Sequence, residues 1–117
     1  MSINKINLAG RVGGDPEVTY FESDKVVAKF SIAVNRTKTE TNWFNIEVWG
    51  KHAETTQQYV KKGSLVGITG RIGFSEWNDK TTGEPRRRHV VTADNYRGLT
   101  LLGSKKQDSD YADDGNW

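Results

Sequence analysis

The sequence predicts an all-β fold, a small barrel with one short helix. Apolar and polar residues alternate over five segments, as they do on strands with one buried face. Twelve glycines and only two prolines in 117 residues favour a β-rich chain with tight turns. One segment alone, residues 51–62, has its apolar residues at helical spacing.

The first strand is predicted over residues 3–12, and its apolar face holds Ile6, Leu8, Gly10 and Val12. A strong turn signal at residues 13–16 ends it, and residues 17–21 form a short extended piece. The second strand covers residues 26–34, where alternate residues from Ala28 to Val34 are apolar. Polar residues 35–42 then form a hairpin loop.

The third strand, residues 43–49, carries tryptophans on the face that should be wet. Phe44, Ile46 and Val48 form its apolar face, so Trp43 and Trp49 lie on the opposite one. A large exposed apolar feature usually marks an interaction site, and flat rings suit stacked nucleobases. The alternative is that this face packs on another subunit or under a loop.

The helix is predicted over residues 51–62, with Lys61 and Lys62 at its C-terminal dipole and Gly63 as its C-cap. Residues 65–75 form the fourth strand, whose glycines allow tight coiling or close approach of another backbone. One apolar face of this strand holds Val66, Ile68, Gly70, Ile72 and Phe74. The fifth strand runs from the triple arginine to residue 93, and residues 99–102 close the domain.

Three strands, one short helix and two strands are the connectivity of the OB-fold, a five-stranded Greek-key barrel. Here the helix lies between strands 3 and 4, and the domain covers residues 1–103. OB-folds bind oligonucleotides on the face of strands 2 and 3 and in their loops. Other small barrels share parts of this order.

The net charge of +2 conceals a division along the chain. Residues 108–117 carry four aspartates and no basic residue, so residues 1–107 hold all 17 lysines and arginines against 11 acids. A basic body with an acidic tail favours a polyanion site and a separate function for residues 104–117, which we expect to be disordered.

Several classes of protein are disfavoured by composition. Cysteine is absent, which excludes disulfides and thiolate chemistry. No leader segment or membrane-length apolar run is present, so we expect a cytoplasmic protein, with a mature organellar form as the alternative. His52 and His89 belong to no recognisable catalytic or metal pattern, and no Walker-type phosphate loop occurs. We therefore expect no enzyme activity, metal or cofactor.

Four collinear segments carry a family resemblance. Residues 4–18, 43–51, 59–64 and 70–79 resemble the opening, central strand, helix exit and fourth-strand hairpin of the bacterial single-stranded DNA-binding protein family. The resemblance implies an OB-fold, assembled as a homotetramer, that coats single-stranded DNA in replication, recombination and repair. An adaptor that binds proteins through the aromatic face and an RNA-binding OB domain are the alternatives.

The same resemblance implies site residues. Stacking aromatics carry over to Trp43, Trp49 and Trp77, and phosphate-contacting lysines to Lys5, Lys51 and Lys62. The second hairpin has no aromatic, so Arg36 and Lys38 are left as electrostatic contacts. Further basic residues assigned to DNA are Arg11, Arg71, Arg86, Arg87 and Arg88. We interpret the triple arginine as a phosphate clamp rather than a solvated hairpin, because arginine binds phosphate in a bidentate manner.

Aromatic residues elsewhere receive other interpretations. Tyr20, Phe21 and Tyr96 are interpreted as packing residues.

The tail is shorter than is usual in the family, and its aspartates lead to a terminal aromatic that could anchor a replication or repair protein. The alternatives are that the tail competes with DNA for the basic groove or is inert. The residues of this predicted partner site are Asp108, Asp110, Asp113, Asp114 and Trp117.

Overall fold

The structure is a computed structural model that describes residues 1–95 and 97–103. Strand-forming alternation and turn-forming glycines give the following elements in chain order: β1 (Ile6–Val12), β2 (Glu17–Tyr20), β3 (Val26–Asn35), β4 (Thr41–Trp49), α1 (Lys51–Tyr59), β5 (Leu65–Asn78), β6 (Pro85–Ala93) and β7 (Leu99–Gly103). No helix among the described residues is long and apolar enough to cross a membrane.

Five strands form a closed ring. The path runs β1–β3–β4–β6–β5, and β5 pairs with β1 to complete it. Neighbouring strands are antiparallel except β4 and β6, which pair in parallel. β2 pairs with β3 and β7 pairs with β5, outside the ring. The predicted all-β fold, a five-stranded OB-type barrel with a helix between its third and fourth strands, is confirmed.

The core lies inside the ring and receives one face of each strand. Ile32 on β3, Ile46 on β4, Ile68 on β5 and Val91 on β6 are almost completely buried. The helix closes one end of the barrel through its apolar side, and Ala53 and Thr56 are buried there. The Thr56 hydroxyl donates to the His52 carbonyl oxygen at 2.6 Å, which satisfies its buried polar atom.

Close approach of two backbones is required at Gly70. A Cβ placed there would lie 2.0 Å from the Thr92 carbonyl oxygen on β6, so any side chain would force the strands apart. The prediction of close approach is right at this position. A Cβ at Gly73 would meet nothing within 4 Å, and a Cβ at Gly67 would make only ordinary contact, so close approach of a backbone does not account for these two glycines.

The helix ends three residues earlier than predicted. Val60 is extended and fully buried, and the chain then turns, with Ser64 N donating to the Lys61 carbonyl oxygen at 2.9 Å. Lys61 and Lys62 therefore lie in this turn and not in the last turn of the helix. Gly63 has a φ of 89° in this turn, a left-handed conformation that favours glycine. Burial of the Val60 side chain in the barrel is the physical reason for the early end.

The apolar face of β5 also leaves the core earlier than the pattern suggests. β5 continues to Asn78 and pairs with β6 as far as Pro85. Over this stretch Ile72 and Phe74 are 36% and 60% exposed, although they share a face with the buried Val66 and Ile68. The two strands extend past the barrel as a long hairpin, so alternation persists where there is no core to receive it.

Candidate nucleic-acid interface

Two tryptophans of β4 lie on its outward side. Phe44, Ile46 and Val48 face the core, and Trp43 and Trp49 alternate with them. Trp43 lies opposite Ala33 on β3, and Trp49 lies opposite Val27. The predicted assignment of the two faces therefore agrees with the observed burial.

The same outward face continues across two further strands to Trp77. Glu47 on β4 lies beside Thr92 on β6, and Thr92 lies opposite Arg71 on β5. Residues two apart on a strand share a face, and Trp77 lies opposite Arg86 at the end of this series. Trp43, Trp49 and Trp77 thus belong to one continuous outer surface of β4, β6 and β5, which we call the tryptophan face.

A missing side chain makes room for Trp43. Its indole is 55% exposed and lies against Gly13, where a Cβ would come within 2.6 Å of the ring atom Cζ3. The same hypothetical Cβ would be 2.9 Å from the Ser31 hydroxyl oxygen. The glycine after β1 therefore fixes how closely this ring approaches the sheet.

Trp49 is held more tightly than Trp43. It is half-buried, and its indole N–H donates to Glu47 Oε1 at 3.0 Å. The Phe21 ring stacks on it with centroids 5.9 Å apart and planes inclined by 16°. Phe21 is itself 45% exposed, so it does more than fill the core.

Of the aromatics interpreted as packing residues, Phe21 does pack on Trp49, but Tyr20 differs. Tyr20 is 64% exposed at the edge of the sheet, so that interpretation is wrong for it. Tyr96 lies outside the described residues. The sequence signal for Phe21 is that it continues the alternation of Glu17 and Thr19, which places it on the outward side of the sheet, but β2 is too short to make that alternation conspicuous.

A groove of about 270 Å³ lies across β3, β4 and β6 and is lined on β4 by residues 45–47. Its lining includes Lys29, Ser31, Asn45, Glu47 and Arg88. The Lys29 ammonium lies 3.9 Å from Glu47 Oε2, so this part of the face combines both signs of charge. Lys29 is a candidate that sequence reasoning missed, because its alternation with buried residues looks like that of any solvated strand.

Among the described residues, four of the predicted basic residues have a hydrogen-bonding or ion-pair partner within the protein. Lys5 Nζ lies 2.6 Å from Asp94 Oδ2, and Arg36 forms an ion pair with Glu40 in the β3–β4 loop. Arg11 donates to the Gly63 carbonyl oxygen at 3.2 Å. Arg86 Nε lies 3.4 Å from Asp79 Oδ2. DNA would have to compete with these contacts.

The β5–β6 turn holds Arg86 through an ionised carboxylate. Backbone N–H groups of Thr81 and Thr82 donate to Asp79 Oδ1 at 2.7 and 3.2 Å. These hydrogen bonds, with a smaller contribution from Arg86, lower the pKa of Asp79.

The three consecutive arginines serve different surfaces. Arg86 reaches the turn, and Arg88 lies over Trp77 with 5.6 Å between its guanidinium carbon and the ring centroid. Arg87 is on the opposite side of the hairpin, 4.0 Å above the Phe74 ring. Neither Arg87 nor Arg88 has an ion pair with a carboxylate of residues 1–95 or 97–103.

The remaining predicted cations are dispersed. Arg71 is exposed on the tryptophan face. Lys38 lies in the β3–β4 loop, Lys51 begins α1, and Lys62 lies in the turn after α1, where its backbone N–H donates to Asp15 Oδ1 at 2.8 Å. These three lysines are exposed on connections around the barrel.

His89 connects two strands. The backbone N–H of Asn45 donates to His89 Nε2 at 3.4 Å, and the side-chain amide of Asn45 donates to the His89 carbonyl oxygen at 3.3 Å. The imidazole ring of His89 meets the Phe44 ring edge-on, with 5.5 Å between centroids. These contacts give it a packing role between β4 and β6. Within the described part of the chain, no group of histidine and carboxylate side chains could hold a metal ion.

The predicted partner site of the tail falls outside the described residues. Its members are Asp108, Asp110, Asp113, Asp114 and Trp117.

Comparisons with known proteins show which family the chain matches. A family model described as "Single-strand binding protein family" matches residues 3–99. A Synechocystis protein named single-stranded DNA-binding protein 1 is 48% identical over 114 residues, covering 94% of this chain and 92% of that protein. A single-stranded DNA-binding protein of Thermosynechococcus vestitus is 43% identical, covering 91% and 88%. One from Neisseria meningitidis is 36% identical, covering 93% of this chain and 65% of its own length.

Proposed function

Because this chain belongs to the single-strand binding protein family, we propose that it binds single-stranded DNA on the tryptophan face of its OB-fold. The observation that carries the proposal is the placement of Trp43, Trp49 and Trp77 on one continuous outer surface of three strands. Binding is the activity, and the chain is a DNA-binding protein and not an enzyme. It coats and protects single strands in replication, recombination and repair.

Stacking explains how such a face binds without reading sequence. Every nucleobase has a flat π-surface, and each base stacked on an aromatic ring contributes roughly 1–3 kcal/mol. Three exposed or half-exposed indoles on one face offer successive bases separate platforms. Duplex DNA keeps its bases stacked inside the helix, so the same rings have little to bind there.

Basic residues supply the second part of the affinity. Lysine and arginine neutralise phosphates and release condensed counterions. On the tryptophan face, Arg71 and Arg88 are the best placed, and Lys51, Lys62 and Lys38 are exposed on connections around the barrel. Four further residues contribute after exchanging an internal partner for a phosphate: Lys5, Arg11, Arg36 and Arg86. Arg87 contributes where the DNA passes the side of the hairpin opposite the tryptophan face.

Equilibrium binding with fluorescent oligomers of dT and rU and with duplex DNA tests this function. We expect tight binding to dT, weak binding to duplex and strong quenching of tryptophan fluorescence. Trp43→Ala and Trp49→Ala should each weaken dT binding by roughly 1–3 kcal/mol in a folded protein. Equal affinity for rU would make the protein a general single-strand binder. No binding to any oligomer would overturn the proposal in favour of a protein adaptor.

The assembly that we propose is a homotetramer. β1 pairs with β5 along Ile6–Arg11, but within the described residues it pairs with β3 only at Arg11 and Val12. The remaining backbone edge of β1 can pair with its own copy across a two-fold axis, since an unpaired edge is a template for another strand.

The division into a binding domain, residues 1–103, and an acidic tail, residues 104–117, is also a proposal. The tail, through its aspartates and Trp117, would bind replication and repair proteins at the bacterial nucleoid. Removal of residues 108–117 should abolish their co-purification and leave DNA affinity nearly unchanged. Tighter DNA binding at low salt after removal would instead identify the tail as a competitor of DNA.

A further inference from the structure

We propose that Phe21 is a base-stacking residue, which forms with Trp49 a two-ring platform at the end of the tryptophan face. The inference rests on the proposed binding of single-stranded DNA and adds an aromatic ring that the sequence does not reveal. The second hairpin, residues 35–42, has no aromatic residue, so Phe21 would supply a fourth ring from a different connection.

Strand register places Phe21 on the correct side of the sheet. Thr19 on β2 lies opposite Val27 on β3, and Val27 lies opposite Trp49 on β4. These three residues therefore share a face, and Phe21 follows Thr19 by two residues. Tyr20 lies opposite the buried Val26 and belongs to the other face.

The ring geometry is that of a platform extended outward. Phe21 and Trp49 are nearly parallel, at 16°, and their centroids are 5.9 Å apart. Phe21 is 45% exposed, whereas Trp49, on which it stacks, is less exposed and partly buried. A base that arrives at this end of the face therefore meets the Phe21 ring, with the Trp49 indole behind it.

The Trp49 ring and the backbone of Phe21 are held by hydrogen bonds before any ligand binds. Glu47 accepts the Trp49 indole N–H at 3.0 Å, and Lys29 lies 3.9 Å from the other carboxylate oxygen of Glu47. Phe21 begins a tight turn in which its N–H donates to the Lys25 carbonyl oxygen at 2.8 Å, and Asp24 N–H donates to the Phe21 carbonyl oxygen at 3.1 Å. A platform held in this way loses little conformational entropy on binding.

Phe21→Ala, with Tyr20→Ala as the matched control, tests the proposal in the full-length protein. The control removes a ring from the neighbouring residue, on the opposite face of the same strand. We expect Phe21→Ala to weaken binding of a dT oligomer by roughly 5- to 150-fold. Tyr20→Ala should bind as the unmodified protein does. Circular dichroism and thermal unfolding establish that each variant is folded, and Phe21→Leu, which keeps the apolar bulk, replaces Phe21→Ala if that variant unfolds.

Photo-crosslinking separates contact from mere support of Trp49. A dT oligomer containing 5-iodo-deoxyuridine at each position in turn should give a peptide modified at Phe21 from at least one position. Crosslinks at Trp49 with none at Phe21, or an affinity of Phe21→Ala equal to that of Tyr20→Ala, would overturn the proposal. If Trp43→Ala still weakens binding in that case, the proposed function stands and only the role of Phe21 is removed.

Discussion

Different contacts hold the Trp43 and Trp49 rings in position. The Trp43 indole is open to solvent, and its position is set by the space above Gly13. Trp49 is fixed by a hydrogen bond to Glu47 and by the Phe21 ring. We infer that Trp43 can adjust to a base as it binds, whereas Trp49 presents a preformed surface.

Gly13→Ala should weaken binding to dT by displacing the Trp43 ring. The added methyl group would lie 2.6 Å from the indole, which must move because the sheet behind the glycine cannot. A fluorescence titration measures the affinity, and the emission maximum of the free protein reports the moved ring. Gly14→Ala is the matched control, since a Cβ there meets nothing within 4 Å. Equal affinities of the two variants would contradict the conclusion that Gly13 sets the position of the Trp43 ring.

Arg88→Ala should lower the salt dependence of binding more than Arg87→Ala does. Arg88 lies beside Trp77 on the tryptophan face, whereas Arg87 lies over Phe74 on the other side of the hairpin. Removal of a cation that neutralises one phosphate should reduce the slope of log affinity against log salt by about 0.7. Titrations at several salt concentrations give the slopes. Identical slopes for the two variants would indicate that the strand contacts both sides of the hairpin.

The β5–β6 hairpin is an arm whose tip depends on one carboxylate. Asp79 accepts hydrogen bonds from the backbone N–H groups of Thr81 and Thr82. It also forms an ion pair with Arg86, the first residue of the triple arginine. Trp77 is the residue before Asn78, which ends β5. A change in the structure of this turn would therefore affect Trp77. Protonation of Asp79 would therefore loosen the part of the arm that carries Trp77.

Asp79→Asn should loosen the turn at neutral pH, and the difference from the unmodified protein should disappear in acid. The folded pKa of Asp79 is lowered, so its stabilisation is complete above the ordinary value of 3.8 and is lost as the pH falls through the folded pKa. Hydrogen exchange of the Thr81 and Thr82 amides measures the opening of the turn. Protection in the unmodified protein that does not change as the pH falls below 3.8 would contradict this role.

Alternation along the strands allows the barrel and its outward tryptophans to be predicted from sequence. Alternation gives the residues that share a face, but it does not tell where the core ends. For this reason the pattern places Ile72 and Phe74 on the apolar face although they project past the barrel. The predicted helix is too long because helical spacing cannot reveal that Val60 is needed by the core.

The candidate site is predictable to a similar extent. The positions of tryptophans follow from strand parity, whereas ion pairs such as Lys5–Asp94 join residues that are distant in sequence and depend on the fold. The separation of Arg87 from its neighbours does follow from alternation, but only once the three arginines are known to lie on a strand. Phe21 escapes prediction because its partner, Trp49, is two strands away.

The assembled protein should be a tetramer in solution. In the proposed assembly, pairing of β1 edges would give dimers, and a second contact between dimers would complete the closed symmetry expected of homo-oligomers. Light scattering at micromolar concentration should give four times the mass of the chain. A mass equal to one chain for the unmodified protein would contradict the assembly.

The order of the strands has a consequence for how the chain folds. The β3–β4 and β5–β6 hairpins join neighbours in sequence, whereas the two seams of the ring join Ile6 to Gly70 and Ile46 to Val91. Pairing between distant segments is slow, because the entropy of closing a long loop opposes it. We therefore expect the hairpins to form early and the ring to close late. A nascent chain that has not yet reached Val91 already carries Trp43 and Trp49, but the surface that would bind DNA does not exist until synthesis has passed that residue.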